Sequence, residues 1–536
     1  MLHVWVLGDY TSWDDSTFAE VRRWITEDKV GGMTMSLGSP IEVAAKINAL
    51  QRLAAVPLLV SSDLEPGLQR LVGGVVLPYL LQGGSATLLT TNMAIGATRR
   101  ESDAYEIGRI VGQEGRATGI RIAFAPVSDV NNNPANPVIN TRSFGEDPQD
   151  VARLVAAFVR GVQDAGVLAT AKHFPGHGDT DTDSHLALPV VRSDRTRLDS
   201  VELVPFRAAI AAGVGAVMTA HIALPALGEP RTPATLVPGI VTSLLRDTLG
   251  FRGVIFTDAL SMEGIGQGYD VEHAAVLSVQ AGADVLLKPT DTRRAIDAVV
   301  SAVEHGEIPP ARIEQSVRRI LAIKARLGLV EQRYVDLDQL RHVVGPPAHW
   351  ATARNVAARA ITLLRDSASL IPVPPADHLT VLTYAPELEV LAGRAFAAEL
   401  RSLTRDPSIV RIDPHSSRAE LDSIAAGIPA TDRVVITTHV RTIEGKGRSA
   451  VPPHIAHWID ELARKRRVIV IANGNPYVIQ QFPSVATYMV TYGIDPSLEQ
   501  ASARALLGAA PISGNAPVSL PGFFRRGDGI ARRGSP

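Results

Sequence analysis

The chain is 536 residues long, 46% hydrophobic and 20% charged, with a formal net charge of -2 and no cysteine. A chain of this size exceeds what one hydrophobic core supports, so two domains are expected. The charge balance argues against a general nucleic-acid binder, and the missing thiols exclude disulfides, thiol catalysis and cysteine-ligated metals. The start, MLHVWVLGDYTSWDD, has no basic segment ahead of its apolar run and meets an acid at Asp9. It does not read as a signal peptide, and no uncharged run is long enough to span a bilayer. A soluble, cytoplasmic protein is expected. The abrupt start on an apolar strand leaves room for a missing leading segment.

Eight short apolar runs punctuate the first part of the chain: HVWVLGD (3–9), GGMTMS (31–36), PLLVSSD (57–63), IAFAP (122–126), LATAKHF (168–174), AVMTAHI (216–222), GVIFTDA (253–259) and ADVLLKP (283–289). They are near-continuous rather than alternating, as expected of parallel strands buried on both faces. Helical patterns lie between them, for example at 103–119, 150–166 and 199–213. Strand-helix units in this number predict an N-terminal (β/α)8 barrel of the TIM type over residues 1–330, closed by a helix over 313–329. Residues 331–356 read as a linker. A second series follows over 357–536, with strands LTVLTY (379–384), RVVITTHV (433–440), RVIVIANG (467–474) and ATYMVTYG (486–493). This predicts a smaller, doubly wound α/β sandwich. The tail FRRGDGIARRGSP reads as loosely ordered.

The densest chemical signal is KHFPGHGDTDTDSH (172–185). Pro175, Gly176 and Gly178 prevent one regular helix or a central strand. One reading is a solvated acidic turn. The apolar VLAT (167–170) leading into it argues instead for a loop leaving the end of a buried strand, where active sites form. On the barrel reading, the C-terminal strand ends carry Asp63, Lys172, His173, His221, Asp258 and Lys288 on one face. Asp129 and Arg142 follow the fourth strand. Each acid has a plainer reading as a helix N-cap, which is the reading adopted for Asp9 and one of two for Asp129.

Asp258 in GVIFTDALSMEG ends an apolar strand. A carboxylate there, facing a second acid/base group, suits retaining glycoside hydrolysis. His185 is the candidate second group. Asp183, two residues earlier, is placed to hold one imidazole nitrogen and to favour the charged ring, which then donates and recovers a proton near neutral pH. Metal readings compete. His173 and His177 have the i, i+4 spacing of a zinc helix, but Pro175 and Gly176 remove the helix. Asp179, Asp181 and Asp183 start like a calcium loop, yet Ser184 stands where Gly is required and Val190 where Glu is required. A looser His/Asp hydrolytic metal site stays open; the preferred reading has no metal and no cofactor.

These residues resemble the β-N-acetylglucosaminidase (β-N-acetylhexosaminidase) branch of glycoside hydrolase family 3. The likeness covers KHFPGHGDTDTDSH, FTDALSM, DLEPGLQRL (63–71), FAPVSDV (124–130), NPVINTRSFGEDP (136–148) and VMTAHIALPAL (217–227). It continues through PATL (233–236) and LLRDTLGFRGVIFTDALSMEGI (244–265) to AARAITLLRD (357–366) and PISGNAPVSLPG (511–522). The resemblance implies a retaining double displacement with Asp258 as nucleophile, His185 as acid/base and Asp183 as its partner. It places Asp63, Arg70, Arg142, Lys172 and His173 on sugar hydroxyls. The chain departs from the family where Pro66 and Gly67 replace two glycines, and the spacing to Arg70 is one residue short. The family's helix ahead of the first strand is absent or very short. The partner implied is a small GlcNAc-containing glycoside, in peptidoglycan or chitin-fragment turnover. Two alternatives stand: a family 3 β-glycosidase or glycoside phosphorylase of other sugar specificity, and a non-catalytic sugar-binding protein on the same scaffold. The oligomeric state is not legible.

Overall fold

The structure is a computed structural model that describes residues 1–12, 14–68, 86–227, 230–443 and 449–534. Strands β1 (Leu2–Leu7), β2 (Gly32–Ser36), β3 (Leu59–Ser62), β4 (Ile122–Ala123), β5 (Leu168–Phe174), β6 (Ala216–Thr219), β7 (Val254–Ala259) and β8 (Val285–Leu287) pair in chain order. β8 returns in parallel onto β1 and closes a barrel. Every residue of β3, β5, β6 and β8 is buried, because helices cover the outside and side chains fill the inside. Alternation sorts the side chains. Leu59, Ile122, Leu168, Met218, Phe256 and Leu287 meet in the barrel interior, and Ile320 and Ile323 of the helix Pro310–Arg326 pack with them. Lys324 of that helix donates to Gly31 O at 2.8 Å, which puts the helix across the end where the strands begin. The strand neighbours Val60, Ala169, Val217, Ile255 and Leu286 point the other way, into the layer under the helices.

A second sheet has the order β11-β10-β12-β13-β14-β9. Its strands are β9 (Thr362–Asp366), β10 (Leu379–Tyr384), β11 (Ser408–Ile412), β12 (Arg433–Val440), β13 (Val468–Gly474) and β14 (Thr487–Val490). All pairs are parallel except β14 with β9. The residues expected to link the two units contain the helix Leu337–Val343 and most of the helix Pro347–Ala360. Two of its side chains bind the barrel: Arg359 grips Asp103 through Nε (3.0 Å) and Nη2 (2.7 Å), and His349 Nδ1 meets Glu114 at 2.8 Å. Met93, Ala94 and Ala97 of the first unit join the core of the second.

Three expectations change. Residues 199–213 form two helices, Arg195–Ser200 and Leu203–Ala211, because Pro205 has no N–H to continue the first. The second sheet gains β9 and β11. The tail is tied down rather than loose: Ile530 N donates to Leu363 O at 2.7 Å, Ile512 and Arg532 exchange backbone bonds, and the Arg532 guanidinium reaches Asp366 at 3.0 Å. β9 and the buried Asp366 give the tail the partners that its own sequence lacks.

Asp284, fully buried just before β8, joins the barrel to its end helices. It accepts from Ile255 N (3.0 Å), Ser316 Oγ (2.5 Å), Arg319 Nη1 (3.0 Å) and Arg246 Nη2 (2.5 Å). Asp284→Ala leaves those guanidiniums uncompensated, so the barrel's urea transition should fall by the equivalent of about 3–5 kcal/mol. A shift below about 1 kcal/mol would mean that water replaces the carboxylate at little cost.

Candidate active site

On β7, Val254 and Phe256 fill the barrel interior, so alternation turns Asp258 inward at the C-terminal end. The Ala259 N–H donates to its Oδ1 at 2.8 Å. Burial pushes the Asp258 carboxyl up, but His173, His221, the Ala259 N–H and Lys172 together outweigh it and hold the group below its usual 3.8. A carboxylate so placed stays ionised near neutral pH.

Across the mouth, β3 and β5 contribute a charged network. Lys172, 2% exposed, donates to Asp63 Oδ1 at 2.8 Å and lies 3.5 Å from Glu65 Oε1. Arg142 Nη2 meets the same Glu65 oxygen at 2.7 Å. Two cations therefore share two carboxylates, which lets the cations be buried without loss of charge balance. An array of fixed donors and acceptors of this kind matches a ring bearing several hydroxyls.

Residues 172–185 run as a strap from the end of β5. They lie on a bed formed by residues 128–136 after β4, with Val127 bridging to Lys172. Asp129 is the anchor. Its carboxylate takes the backbone N–H of His173 (3.2 Å to each oxygen) and of His177 (2.7 Å), and it meets His173 Nδ1 at 2.8 Å. Burial would raise the Asp129 carboxyl, but His173, His177 and their N–H groups hold it below its ordinary value. Asn136 Nδ2 donates to His177 O and Gly178 O, both at 2.9 Å. A Cβ at Gly178 would stand 1.8 Å from Val130 O, so glycine alone lets strap and bed approach this closely. His177 is buried between Thr180 Oγ1 (2.8 Å) and Ser184 Oγ (3.0 Å), and burial pushes its pKa down to about 4 despite Asp129.

The strap delivers Asp183 and His185. Asp183 Oδ1 accepts from the His185 backbone N–H (2.9 Å) and meets His185 Nδ1 at 2.8 Å. Asp183 is buried and His185 half-exposed. Gly264 N donates to Ser184 O at 3.1 Å and Gln267 Nε2 to Leu186 O at 3.0 Å, which stitches the strap to the segment after β7 and brings His185 to the side of the mouth that carries Asp258. His221 is acted on by both Asp258 and His185; burial, its largest influence, lowers its pKa. Its Nε2–H donates to Ala259 O at 3.0 Å, since a carbonyl only accepts.

Asp63, Arg142, Lys172, His173, Asp183, His185 and Asp258 thus gather at one end of the barrel. Arg70 lies outside the described residues. Lys288 is also at this end, its ammonium 4.7 Å from the centre of the Trp5 ring. Asp129 is no helix cap; it organises the strap. Glu65 and Asn136 escaped the sequence reading. Glu65 had a usable signal, a second acid two positions after Asp63. Asn136 had only an asparagine-rich stretch, NNNPAN (131–136), which equally suggests a turn. His173 and His177 stand with ring centres 6.1 Å apart, and among the described residues no group of three His, Asp or Glu side chains converges as a metal cage. No helix among those residues is long and apolar enough to cross a membrane.

Comparison with known proteins places the chain in a family. Residues 1–323 match the family model for the glycosyl hydrolase family 3 N terminal domain. A β-N-acetylglucosaminidase/β-glucosidase of Cellulomonas fimi is 31% identical over 514 residues, covering 91% of this chain and 88% of that protein. A β-hexosaminidase A of Pseudoalteromonas piscicida is 30% identical over 559 residues, covering 94% and 91%. The solved structure of a glycoside hydrolase family 3 β-N-acetylglucosaminidase from Paenibacillus sp. str. FPU-7 superposes with a TM-score of 0.85 at 36% identity, covering 97% of both chains. With its parallel barrel, its second α/β sheet and these relatives, the chain belongs to glycosyl hydrolase family 3 and is a glycoside hydrolase.

Proposed function

We propose that the chain removes terminal β-linked N-acetylglucosamine by a retaining double displacement. The single observation that carries this reading is the pairing, at one barrel mouth, of a carboxylate held in its charged form (Asp258) with an imidazole fixed by a buried aspartate (His185 on Asp183). Asp258 attacks the anomeric carbon. With Nδ1 engaged by Asp183, His185 donates its Nε2 proton to the departing oxygen, then takes one from the incoming water. Asp63, Lys172, Arg142 and His173 hold the sugar hydroxyls. The substrate class is a GlcNAc-containing fragment of the peptidoglycan or chitin type, and the site of action cytoplasmic. The relatives named for N-acetylglucosaminidase and hexosaminidase activity support this sugar specificity. A second reading, transfer to phosphate, draws on the histidine itself, because a neutral or cationic ring repels phosphate less than a second carboxylate would.

Wild type should cleave p-nitrophenyl β-GlcNAc faster than p-nitrophenyl β-glucoside without any need of phosphate, and an activated fluoro-sugar should label Asp258. Asp258→Asn should lose several orders of magnitude in kcat while still binding sugar. A rate set by phosphate, or a label on another residue, would overturn the assignment.

His185→Ala should discriminate between leaving groups. Nitrophenolate departs with little protonation, whereas a sugar hydroxyl needs it. Steady-state kinetics should therefore show a loss in kcat/KM on GlcNAc disaccharides at least about 10-fold larger than on nitrophenyl substrates.

The pH profile tests the cations around Asp258. Because the folded-state pKa is depressed, the ionised form persists as pH falls until the folded value is reached. His173→Asn removes the largest charge opposing burial. The acid limb of kcat/KM should then move to higher pH; an unmoved limb would assign it to another group.

A further inference from the structure

The bed beneath the strap is held from outside the barrel. Asn131, 1% exposed and two residues beyond Asp129, donates from Nδ2 to the phenolic oxygen of Tyr477 at 2.9 Å. Tyr477 belongs to the second domain, in the helical turn Pro476–Gln481 after β13. That turn is rigidly mounted. Asn475 caps it by accepting from Tyr477 N (3.0 Å) and donates its own N–H to Val440 O of β12 (2.6 Å). Tyr488 OH of β14 donates to Pro476 O at 2.8 Å. Three strands of the second sheet thus fix one phenol against the bed.

A second grip lies close by. Ser143 Oγ donates to Asp129 O at 2.6 Å, and Asn131 N donates to Gly145 O at 2.8 Å. The residue after Gly145 is held by the second domain in turn: Glu146 N donates to Pro517 O at 3.1 Å, and the Glu146 carboxylate takes Ser519 N (2.7 Å) and Ser519 Oγ (2.5 Å). The bed therefore meets the second domain directly at Tyr477 and is tied to it at Pro517 and Ser519 by way of Gly145 and Glu146. The same bed carries Asp129 and Asn136, which hold the strap at His173, His177 and Gly178. The strap ends in the Asp183–His185 pair.

We infer that Tyr477 is a positioning residue for His185: through Asn131 it fixes the bed, and the bed fixes the height of the strap over the barrel mouth. This rests on the reading of His185 as acid/base given above. The second domain then serves the reaction by setting where the proton donor stands.

Tyr477→Phe tests this in the full chain, since it deletes one oxygen and keeps the ring. A displaced His185 protonates a poor leaving group less well, so kcat on a GlcNAc disaccharide should fall about 10-fold, with dinitrophenyl β-GlcNAc and both KM values changed by less than about 3-fold. Asn131→Ala should reproduce the pattern, and the double variant should lose no more than either single, because both cut the same bond. If Tyr477→Phe does not fold, Asn131→Ala is read in its place. A lower Tm with wild-type sensitivity to the leaving group means a purely structural bond and overturns the inference while leaving His185 as the acid/base. If His185→Ala is itself insensitive to the leaving group, the acid/base assignment falls and this inference with it.

Discussion

A carboxylate with no access to water persists only where N–H groups and positive charge replace its lost hydration. Asp129 meets that condition by taking hydrogens from His173 and His177, and the trade organises the whole mouth of the barrel. Without it the strap beyond Phe174, broken by Pro175 and two glycines, has no regular secondary structure to define its path. With it, the strap is held at two backbone points and one ring. The rest of its length is then positioned by Asn136, Thr180 and Ser184. Local polar bonds replace a helix or a strand as the means of fixing Asp183 and His185.

The electrostatics of the site divide by burial. His177 and His221 lie deep, where the lost hydration disfavours their charged forms. Asp258 is also desolvated, yet two histidines, a lysine and an N–H group act on it together and keep it ionised. Burial thus weakens the positive charge of the deep imidazoles, which also serve as hydrogen-bonding posts, while Asp258 keeps its negative charge. Lys172 and Arg142 are themselves compensated by Asp63 and Glu65, so that network carries charge without net excess.

The second domain is locked to the barrel by contacts of different kinds. Arg359 with Asp103 is a bidentate ion pair. Met93, Ala94 and Ala97 add apolar burial. Thr91 Oγ1 donates to Tyr492 O at 2.9 Å, and Arg526 reaches Asp147 (3.0 Å) and Asp150 (2.7 Å). These contacts are spread over several helices of the barrel.

Much of this was legible in the chain itself. All the barrel strands stand where unbroken apolar runs place them, since burial on both faces leaves a pattern that no neighbour alters. Strand ends then marked Asp63, Lys172 and Asp258, because alternation and the shared direction of parallel strands are local rules. β11 escaped, being a half-exposed strand with Arg411 in it, and β9 escaped because it follows the helix Pro347–Ala360 after Ile361 alone, with no turn signal. Asp129, Glu65, Asn131 and Tyr477 needed the fold. Each acts through a partner far along the chain, and a side chain's sequence neighbours do not encode a partner 346 residues away. The amino-acid sequence determined which residues carry charge and which strands bring them to one end; only the tertiary structure decided which of them are buried, and burial sets how each group is charged and what it must hold.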